Sequence, residues 1–227
     1  MIFKDRYEAG KLLGERLKKL KDEGKIVNPV VVALPRGGVP VGYEIAKALN
    51  APLDILFVKK IPSPLNEEAA IGAVSESGQV FLNKEAIERL NSMGVNVDDE
   101  YIRQKAIEKI QDMARKREIY DIEPIPLEDK DVILVDDGIA TGASMYLAAQ
   151  SVVRDMPRNI IIAAPVAPLD ENILRMLRSV SHHLEILETP PMFMAVGQWY
   201  EDFHQLSDDE VKEILNKSKV FRSNLTN

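Results

Sequence analysis

Short apolar runs alternate with longer amphipathic stretches along most of this 227-residue chain. The runs are rich in Val, Ile and Leu, which is typical of short strands buried on both faces of a sheet. They lie at 30–34, 53–58, 132–135, 160–164 and 184–187. Apolar residues recur at helical spacing between about 5 and 24, 40 and 49, 141 and 156, and 170 and 178. Strands that alternate with helices predict an α/β fold, with a mostly parallel central sheet of about five strands and helices on both sides.

The segment at 70–118 interrupts this alternation. Two apolar segments at 70–75 and 79–82 flank Ser77-Gly78, which predicts a hairpin. Two helices are predicted after it, at 84–91 and 98–117. The hairpin and the helices would form an insertion within the sheet-containing core.

We expect a single domain with a core at about 25–83 and 130–188, a helical insertion at about 84–118 and a C-terminal hood at about 189–227. The amino terminus is expected to contribute to the hood. A closing helix at 207–216 is predicted because Ser207 and Glu210 have the spacing of a capping box.

The composition narrows the classes of function. The net charge of -7 disfavours nucleic acid as the main partner. The absence of cysteine excludes disulfides, cysteine-based zinc sites and thiol nucleophiles. The longest apolar stretches fall far short of the roughly 20 residues that a membrane helix requires, and the amino terminus lacks a secretory signal. We therefore expect a cytoplasmic protein without a membrane partner.

The segment Val132–Ser144 concentrates residues that can carry chemistry. Its four apolar residues predict a buried strand, and Asp136 and Asp137 follow at the carboxyl end, where open α/β sheets bind their ligands. Two adjacent carboxylates repel each other and therefore call for a partner such as sugar hydroxyls or a metal ion. The sequence Thr141-Gly142-Ala143-Ser144 leads into a helix, whose amide groups and hydroxyls can surround a phosphate. Together these features fit a ribose 5-phosphate.

Other interpretations of this segment are weaker. Taken singly, Asp-Gly is more often a turn, and Ser or Thr more often a helix cap. An apolar strand followed by Asp also holds Mg²⁺ in P-loop nucleotide-binding proteins, but the Gly-x-x-x-x-Gly-Lys-Ser/Thr sequence that this fold needs is absent from the chain.

Val132–Ser144 resembles the phosphoribosyl-pyrophosphate signature of type I phosphoribosyltransferases. The resemblance implies that Asp136 and Asp137 hold the ribose hydroxyls and that 140–144 holds the 5-phosphate. It also implies Mg²⁺ as the cofactor, held mostly indirectly by Asp136 and Asp137. The donor-binding residues predicted after the two acids are Gly138, Ile139, Ala140, Thr141, Gly142, Ala143 and Ser144.

Three further segments resemble parts of the same family. Arg36-Gly37-Gly38 follows an early strand, as the family's pyrophosphate-binding loop does, and the resemblance implies a non-proline cis peptide bond there. Lys59 and Lys60 stand where the family's flexible catalytic loop begins, in a stretch that we predict to be irregular. Trp199 and Tyr200 lie in a late aromatic segment similar to the hood that receives the base.

The resemblance implies transfer of a 5-phosphoribosyl group from phosphoribosyl pyrophosphate to a nitrogen acceptor, with a nucleobase as the expected class and with release of pyrophosphate. A role in nucleotide metabolism and a homodimer would be in keeping with it. Two alternatives stay open. One is a regulatory protein of the same fold that senses phosphoribosyl pyrophosphate and binds nucleic acid, for which 103–117 supplies basic residues. The other is a pyrophosphokinase-like or nucleotide-hydrolysing use of the site.

Overall fold

The computed structural model describes residues 2–225, and its secondary structure follows the predicted alternation of strands and helices. The strands are β1 (Pro29–Ala33), β2 (Leu53–Ile55), β3 (Val58–Pro62), β4 (Ala70–Ser75), β5 (Val80–Leu82), β6 (Asp131–Val135), β7 (Asn159–Val166) and β8 (His183–Glu188). The α-helices are α1 (Arg6–Asp22), α2 (Gly38–Leu49), α3 (Lys84–Ser92), α4 (Asp99–Tyr120), α5 (Ala143–Val153), α6 (Glu171–Arg178) and α7 (Asp208–Ser218). Short 3-10 helices lie at Val196–Trp199 and Lys219–Leu225.

Five of the strands form one sheet, in the order β2-β1-β6-β7-β8, and all the neighbouring strands are parallel. Two of its inner strands, β1 and β6, are buried at every position. This burial explains their continuous apolar sequence, because helices cover both faces of a parallel sheet. The predicted α/β fold with a mostly parallel sheet of about five strands is confirmed.

The order of the strands places a crevice at one point along the sheet edge. From β1 the chain crosses to β2 in one direction, whereas from β6 it proceeds to β7 and β8 in the other. Right-handed crossovers therefore put α2 on one face of the sheet and α5 and α6 on the opposite face. The loops that leave β1 and β6 diverge there, and such a reversal opens a ligand crevice at the carboxyl ends of the strands.

The chain divides into two compact units, one of residues 1–56 and 120–227 and the other of residues 57–119. The second unit holds an antiparallel sheet in the order β3-β4-β5 together with α3 and most of α4. The predicted hairpin is confirmed as β4 and β5, and Gly78 adopts a φ of 89° in its turn. The boundaries that we assigned to core, insertion and hood stay predictions.

The structure corrects two predicted elements. The strand predicted at 53–58 is two strands in different sheets, because the chain leaves the parallel sheet after Ile55 and enters the second unit at Phe57. Lys59 and Lys60, predicted to be irregular, belong to β3, where they pair with Val74 and Ala73 of β4. The antiparallel partner strand, which lies more than ten residues further along, gives this polar stretch its extended conformation.

A third correction concerns the helix predicted at 141–156, which is shorter at both ends and begins only at Ala143. Gly142 has a φ of 82°, in the left-handed region, so that Thr141 and Gly142 remain in the loop. None of the helices described in residues 2–225 is both long enough and apolar enough to cross a membrane.

The capping box at the start of α7 is present as predicted. Ser207 Oγ accepts a hydrogen bond from the amide of Glu210 at 3.1 Å, and Glu210 Oε1 accepts one from the amide of Ser207 at 3.3 Å. Ser207→Ala removes the cap and should lower the free energy of unfolding by about 1 kcal/mol. The melting temperature should fall by about 2–4 °C in a thermal unfolding experiment. Ser207→Thr keeps the acceptor oxygen and should melt close to the unsubstituted chain; an equal loss in both variants would contradict the role of the cap.

Candidate functional site

The loops after β1 and β6 meet at the crevice between these two strands. The amide of Leu34 donates to the carbonyl of Val135 at 2.9 Å, which extends the contact between the strands beyond their last paired residues. The peptide bond between Pro35 and Arg36 is cis, as the resemblance implied. The tertiary structure therefore brings together the two segments that sequence reasoning singled out.

Gly37 and Gly38 allow this close approach. A Cβ atom at Gly37 would overlap the carboxylate of Asp137, and one at Gly38 would stand 2.7 Å from the carbonyl oxygen of Val135 and 3.2 Å from Cα of Asp136. Only a chain without side chains at both positions can lie against the acidic segment in this way. Their backbone thus forms one wall of the crevice, opposite the two acids.

Asp136 and Asp137 stand directly after β6 and are both partly buried. The amide of Asp137 donates to Oδ1 of Asp136 at 2.8 Å. Burial, together with the neighbouring charge of Asp137, raises the pKa of the Asp136 carboxyl well above its ordinary range. Burial also raises the pKa of Asp137, against the effect of the nearby Arg6 guanidinium, which lowers it. The pair therefore carries a cost in charge repulsion and desolvation, which bound hydroxyl groups or a cation would relieve.

Arg6, the first residue of α1, forms an ion pair with the second of these acids. Its Nε lies 3.0 Å from Oδ2 of Asp137, and the side chains of the two residues are only 8% and 13% exposed. Nη1 of Arg6 also donates to the carbonyl of His204 at 2.9 Å. The pair is therefore held between the amino-terminal helix, the acidic loop and the carboxyl-terminal segment.

A cleft of about 170 Å³ opens beside the acids and is lined by Asp136, residues 138–145 and Val196. Thr141 and Ser144 are exposed in it, at the amino end of α5. The first amide groups of a helix lack partners within the helix and carry a partial positive charge. This end of the cleft therefore suits an anionic group such as a phosphate.

Two of the predicted donor-binding residues, Gly138 and Ile139, are buried in contacts with other residues of the chain. The side chain of Ile139 is buried, and its amide donates to the carbonyl of Val166 at 2.9 Å. Gly138 is buried beneath Val196, whose methyl groups fill the space that a Cβ atom would need. These contacts fix the floor of the cleft, whereas residues 140, 141, 143 and 144 are exposed.

The aromatic segment lies beside the acids, and its two predicted residues differ in exposure. Tyr200 is buried: its ring lies 5.5 Å from that of Phe3 and 5.1 Å from that of Phe203, and its hydroxyl donates to the carbonyl of Asp137 at 2.6 Å. Burial raises the pKa of Tyr200, so the hydroxyl remains a donor. Trp199 is partly exposed and stacks on Phe193, with 6.3 Å between the centroids of the two rings. Its Nε1 is buried and, in the described structure, makes no hydrogen bond.

The remaining predicted residues lie in different parts of the chain. Arg36 is partly exposed in the loop after β1, next to Gly37. Lys59 and Lys60 belong to the second unit, where Lys60 is exposed on β3 and Lys59 is partly exposed. The pyrophosphate-binding role of Arg36 and the catalytic role of the two lysines stay predictions.

Arg6 and Val196 were not identified from the sequence. Arg6 follows the N-cap Asp5 in an ordinary amphipathic helix, and nothing in its local sequence distinguishes it from the other basic residues of α1. Val196 is a single apolar residue at the start of a short 3-10 helix, with no polar group that would mark it as part of a site. The one signal that pointed this way is the expected contribution of the amino terminus to the hood, and Phe3 indeed pairs with Tyr200 through the backbone.

Comparison with known proteins identifies the family to which this chain is similar. A family model described as a phosphoribosyl transferase domain matches residues 4–178. Proteins named as phosphoribosyl transferases in two strains of Mycobacterium tuberculosis are 39% identical over 217 residues, which make up 96% of this chain and 47% of each relative. The chain thus spans about half the length of the curated relatives it matches. The crystal structure of TT1426 from Thermus thermophilus is 36% identical, with a TM-score of 0.78, and the match covers 96% of this chain and 99% of that one.

Proposed function

The chain belongs to the phosphoribosyl transferase domain family, and from this premise we propose that it transfers the 5-phosphoribosyl group of phosphoribosyl pyrophosphate to a nitrogen acceptor, with release of pyrophosphate. The observation that carries the proposal is the meeting of two loops at the carboxyl ends of β1 and β6. One loop brings Gly37 and Gly38, and the other brings two carboxylates followed by the amino end of α5. A nucleobase is the acceptor class that we propose.

The donor would occupy the crevice in a defined orientation. The 5-phosphate would lie at the amino end of α5, against Thr141 and Ser144, where helix amides and hydroxyls favour an anion. The ribose hydroxyls would donate to Asp136 and Asp137, which stand immediately before this cradle in the chain. The pyrophosphate would then face the backbone of Gly37 and Gly38, with Arg36 adding positive charge. Each part of the donor thereby meets a group of suitable charge.

Catalysis would rest on positioning and electrostatics. Cleavage of the bond between the anomeric carbon and pyrophosphate leaves positive charge on the ribose ring and negative charge on the leaving group. The carboxylates of Asp136 and Asp137 would stabilise the first, and Arg36 would stabilise the second. Lys59 and Lys60 are proposed to assist the leaving group. In the proposed reaction, exclusion of water from the occupied crevice would prevent water from competing with the acceptor.

The acidic pair also fits Mg²⁺, although the protein alone would not supply all of its ligands. The described residues hold no cluster of three or more His, Cys, Asp or Glu side chains suited to a metal ion. One oxygen of Asp137 already receives the guanidinium of Arg6. Mg²⁺ commonly keeps several waters and binds through one or two carboxylates and the phosphates of a substrate. When bound, it would neutralise charge on the pyrophosphate, and Asp136 and Asp137 would hold it mostly indirectly.

The regulatory alternative requires a basic surface, and α4 was its candidate. In this helix Lys105 lies 3.5 Å from Glu108, Arg115 pairs with Asp112, and Arg117 lies 2.7 Å from Glu76. Lys105, Arg115 and Arg117 thus each face a carboxylate, in a chain with a net charge of -7. Binding of nucleic acid that weakens steeply with added salt would favour this alternative over the enzyme.

The direct test measures release of pyrophosphate from phosphoribosyl pyrophosphate and Mg²⁺ across purines, pyrimidines and small amines. We expect release that depends on one acceptor class, with appearance of the matching nucleotide. Omission of the acceptor serves as the control, because pyrophosphate released without one would indicate hydrolysis. Donor binding without turnover on any acceptor would contradict the transferase and favour a sensor; turnover of ATP without an acceptor would favour the nucleotide-hydrolysing alternative.

A further inference from the structure

Arg6 connects the acidic pair to the aromatic segment, two parts of the site that lie more than 60 residues apart in the chain. We propose that Arg6 is a positioning residue for the transfer reaction, which holds the Asp137 carboxylate in its ribose-binding orientation and links it to the segment at 199–204. This inference rests on the proposed function and deepens it, because it assigns a role to a residue outside the family motif.

The first half of the connection is the ion pair. The guanidinium of Arg6 is 3.0 Å from Oδ2 of Asp137, and both side chains are almost entirely buried. Asp137 also packs against the backbone of Gly37, on the opposite loop. Because two adjacent carboxylates repel each other, a buried carboxylate without a cationic partner would turn away or take up a proton. Arg6 therefore holds the Asp137 carboxylate in one orientation before the ribose arrives.

The second half is the contact with the carboxyl-terminal segment. Nη1 of Arg6 donates to the carbonyl of His204 at 2.9 Å, and its Cζ stands 4.1 Å from the ring centroid of Phe203. Phe203 stacks on Tyr200, whose hydroxyl returns to the carbonyl of Asp137 at 2.6 Å. Arg6, Phe203, Tyr200 and Asp137 thus form a closed ring of contacts. A shift of the aromatic segment would be transmitted to the carboxylate from two sides.

The chemistry of arginine explains why this position holds that residue. A guanidinium is planar, donates in separate directions from Nε and Nη1, and stacks on an aromatic ring at the same time. A lysine ammonium carries the charge but cannot reproduce these three contacts together. The three contacts of Arg6 therefore distinguish a positioning role from a requirement for charge alone.

The amino-terminal segment delivers Arg6 to this place. The carbonyls of Phe3 and Lys4 accept hydrogen bonds from the amides of Glu201 and Asp202, at 2.8 Å and 2.9 Å. Asp5 then caps α1 by accepting the amide of Glu8 at 2.8 Å, so that Arg6 begins the helix directly beside the acidic loop. The backbone of residues 3–6 thus binds the aromatic segment and also carries the Arg6 side chain.

The test compares Arg6→Met and Arg6→Lys with a matched control, Arg16→Met. Arg16 lies in the same helix, but its pair with Glu185 is longer, at 3.5 Å, and its side chain is 54% exposed. We expect Arg6→Met to weaken binding of phosphoribosyl pyrophosphate with Mg²⁺, measured by calorimetry, by about 10-fold or more. A misplaced Asp137 would lose its charge-assisted hydrogen bond to the ribose, and one such bond has an effect of this size. Arg6→Lys should recover part of this affinity while kcat stays low. Arg16→Met should bind the donor as the unsubstituted chain does.

A double-mutant cycle separates positioning from a structural role. If Arg6 acts through Asp137, then Arg6→Met should cost little further donor affinity once Asp137→Asn is present, whereas independent effects would add. Additive losses, or a loss in Arg16→Met as large as in Arg6→Met, would overturn the inference. If Arg6→Met fails to fold, the same measurements on Arg6→Lys test the positioning role. Unchanged donor affinity together with unchanged kcat in Arg6→Lys would refute that role.

The outcomes also distinguish this inference from the proposed function. Normal donor binding by Arg6→Met, alongside normal binding by the unsubstituted chain, would overturn the role of Arg6 and leave the proposed function standing. Absence of donor binding by the unsubstituted chain would overturn both.

Discussion

Asp137→Asn is expected to weaken binding of phosphoribosyl pyrophosphate by about 100-fold, because each hydrogen bond to a charged group contributes about 1.5–3 kcal/mol and each 1.4 kcal/mol is a factor of about ten. Asparagine has nearly the same size and still offers one oxygen to Nε of Arg6, which lies 3.0 Å from the present carboxylate. It also removes the repulsion with Asp136. The fold should therefore persist, with little change in the thermal melt. Calorimetry with the donor and Mg²⁺ measures the loss directly.

Asp121→Asn is the control for this substitution. Asp121 also faces a cation, Lys219 at 3.2 Å, but its side chain is 74% exposed. Removal of this surface charge should leave donor affinity unchanged, since exposed ion pairs contribute little. Unchanged donor affinity in Asp137→Asn would refute the assignment of the acidic pair. A large loss in both variants would show that the effect comes from net charge and not from the site.

Gly38→Ala is expected to damage both stability and donor binding. Its Cβ would lie 2.7 Å from the carbonyl oxygen of Val135 and 3.2 Å from Cα of Asp136, so the loops after β1 and β6 must separate. Overpacking of this kind costs about 1–3 kcal/mol, and the melting temperature should fall by about 2–4 °C for each kcal/mol. A displacement of about 1 Å between the two loops can lower activity by about 100-fold. Thermal melts and steady-state kinetics measure the two effects.

Gly24→Ala separates the two effects. Gly24 has a φ of 77°, and no atom lies within 4 Å of the position that a Cβ would occupy. An alanine in the left-handed region costs about 1–2 kcal/mol without any clash. Gly24→Ala should therefore lower the melting temperature but leave donor affinity unchanged. If the two variants lost donor affinity equally, loss of stability would explain both results, and the proposed role of Gly38 would be wrong.

The predictions from sequence were most accurate where local pattern and burial agree. The strand ending at Val135 was located to within one residue, because a continuous apolar run has few alternatives in an α/β fold. The capping box of Ser207 and Glu210 was identified because it depends on residues three apart. The acidic pair after this strand was recognised for the same reason, since its place directly after the apolar run is part of the motif, whereas the start of the following helix was predicted two residues too early.

The sequence was less informative where a conformation depends on a distant partner. Lys59 and Lys60 form a strand only because β4 pairs with them. Tyr200, predicted to lie in the surface that receives the base, is covered by Phe3 and Phe203, which lie at opposite ends of the chain. No local pattern carries such information, because the spacing between the partners is set by the whole fold.

For the segment that leads from β6 into α5, the sequence by itself determined a buried strand, two carboxylates at its end and a following helix, and it predicted that these groups bind the donor. The tertiary structure decided what faces these groups. It placed Gly37 and Gly38 against the acids, and it brought Arg6 to Asp137 across 131 positions of the chain. The physical reason is that a motif of consecutive residues is held by local hydrogen bonds and burial, whereas an ion pair between distant residues exists only after the sheet and its helices have packed.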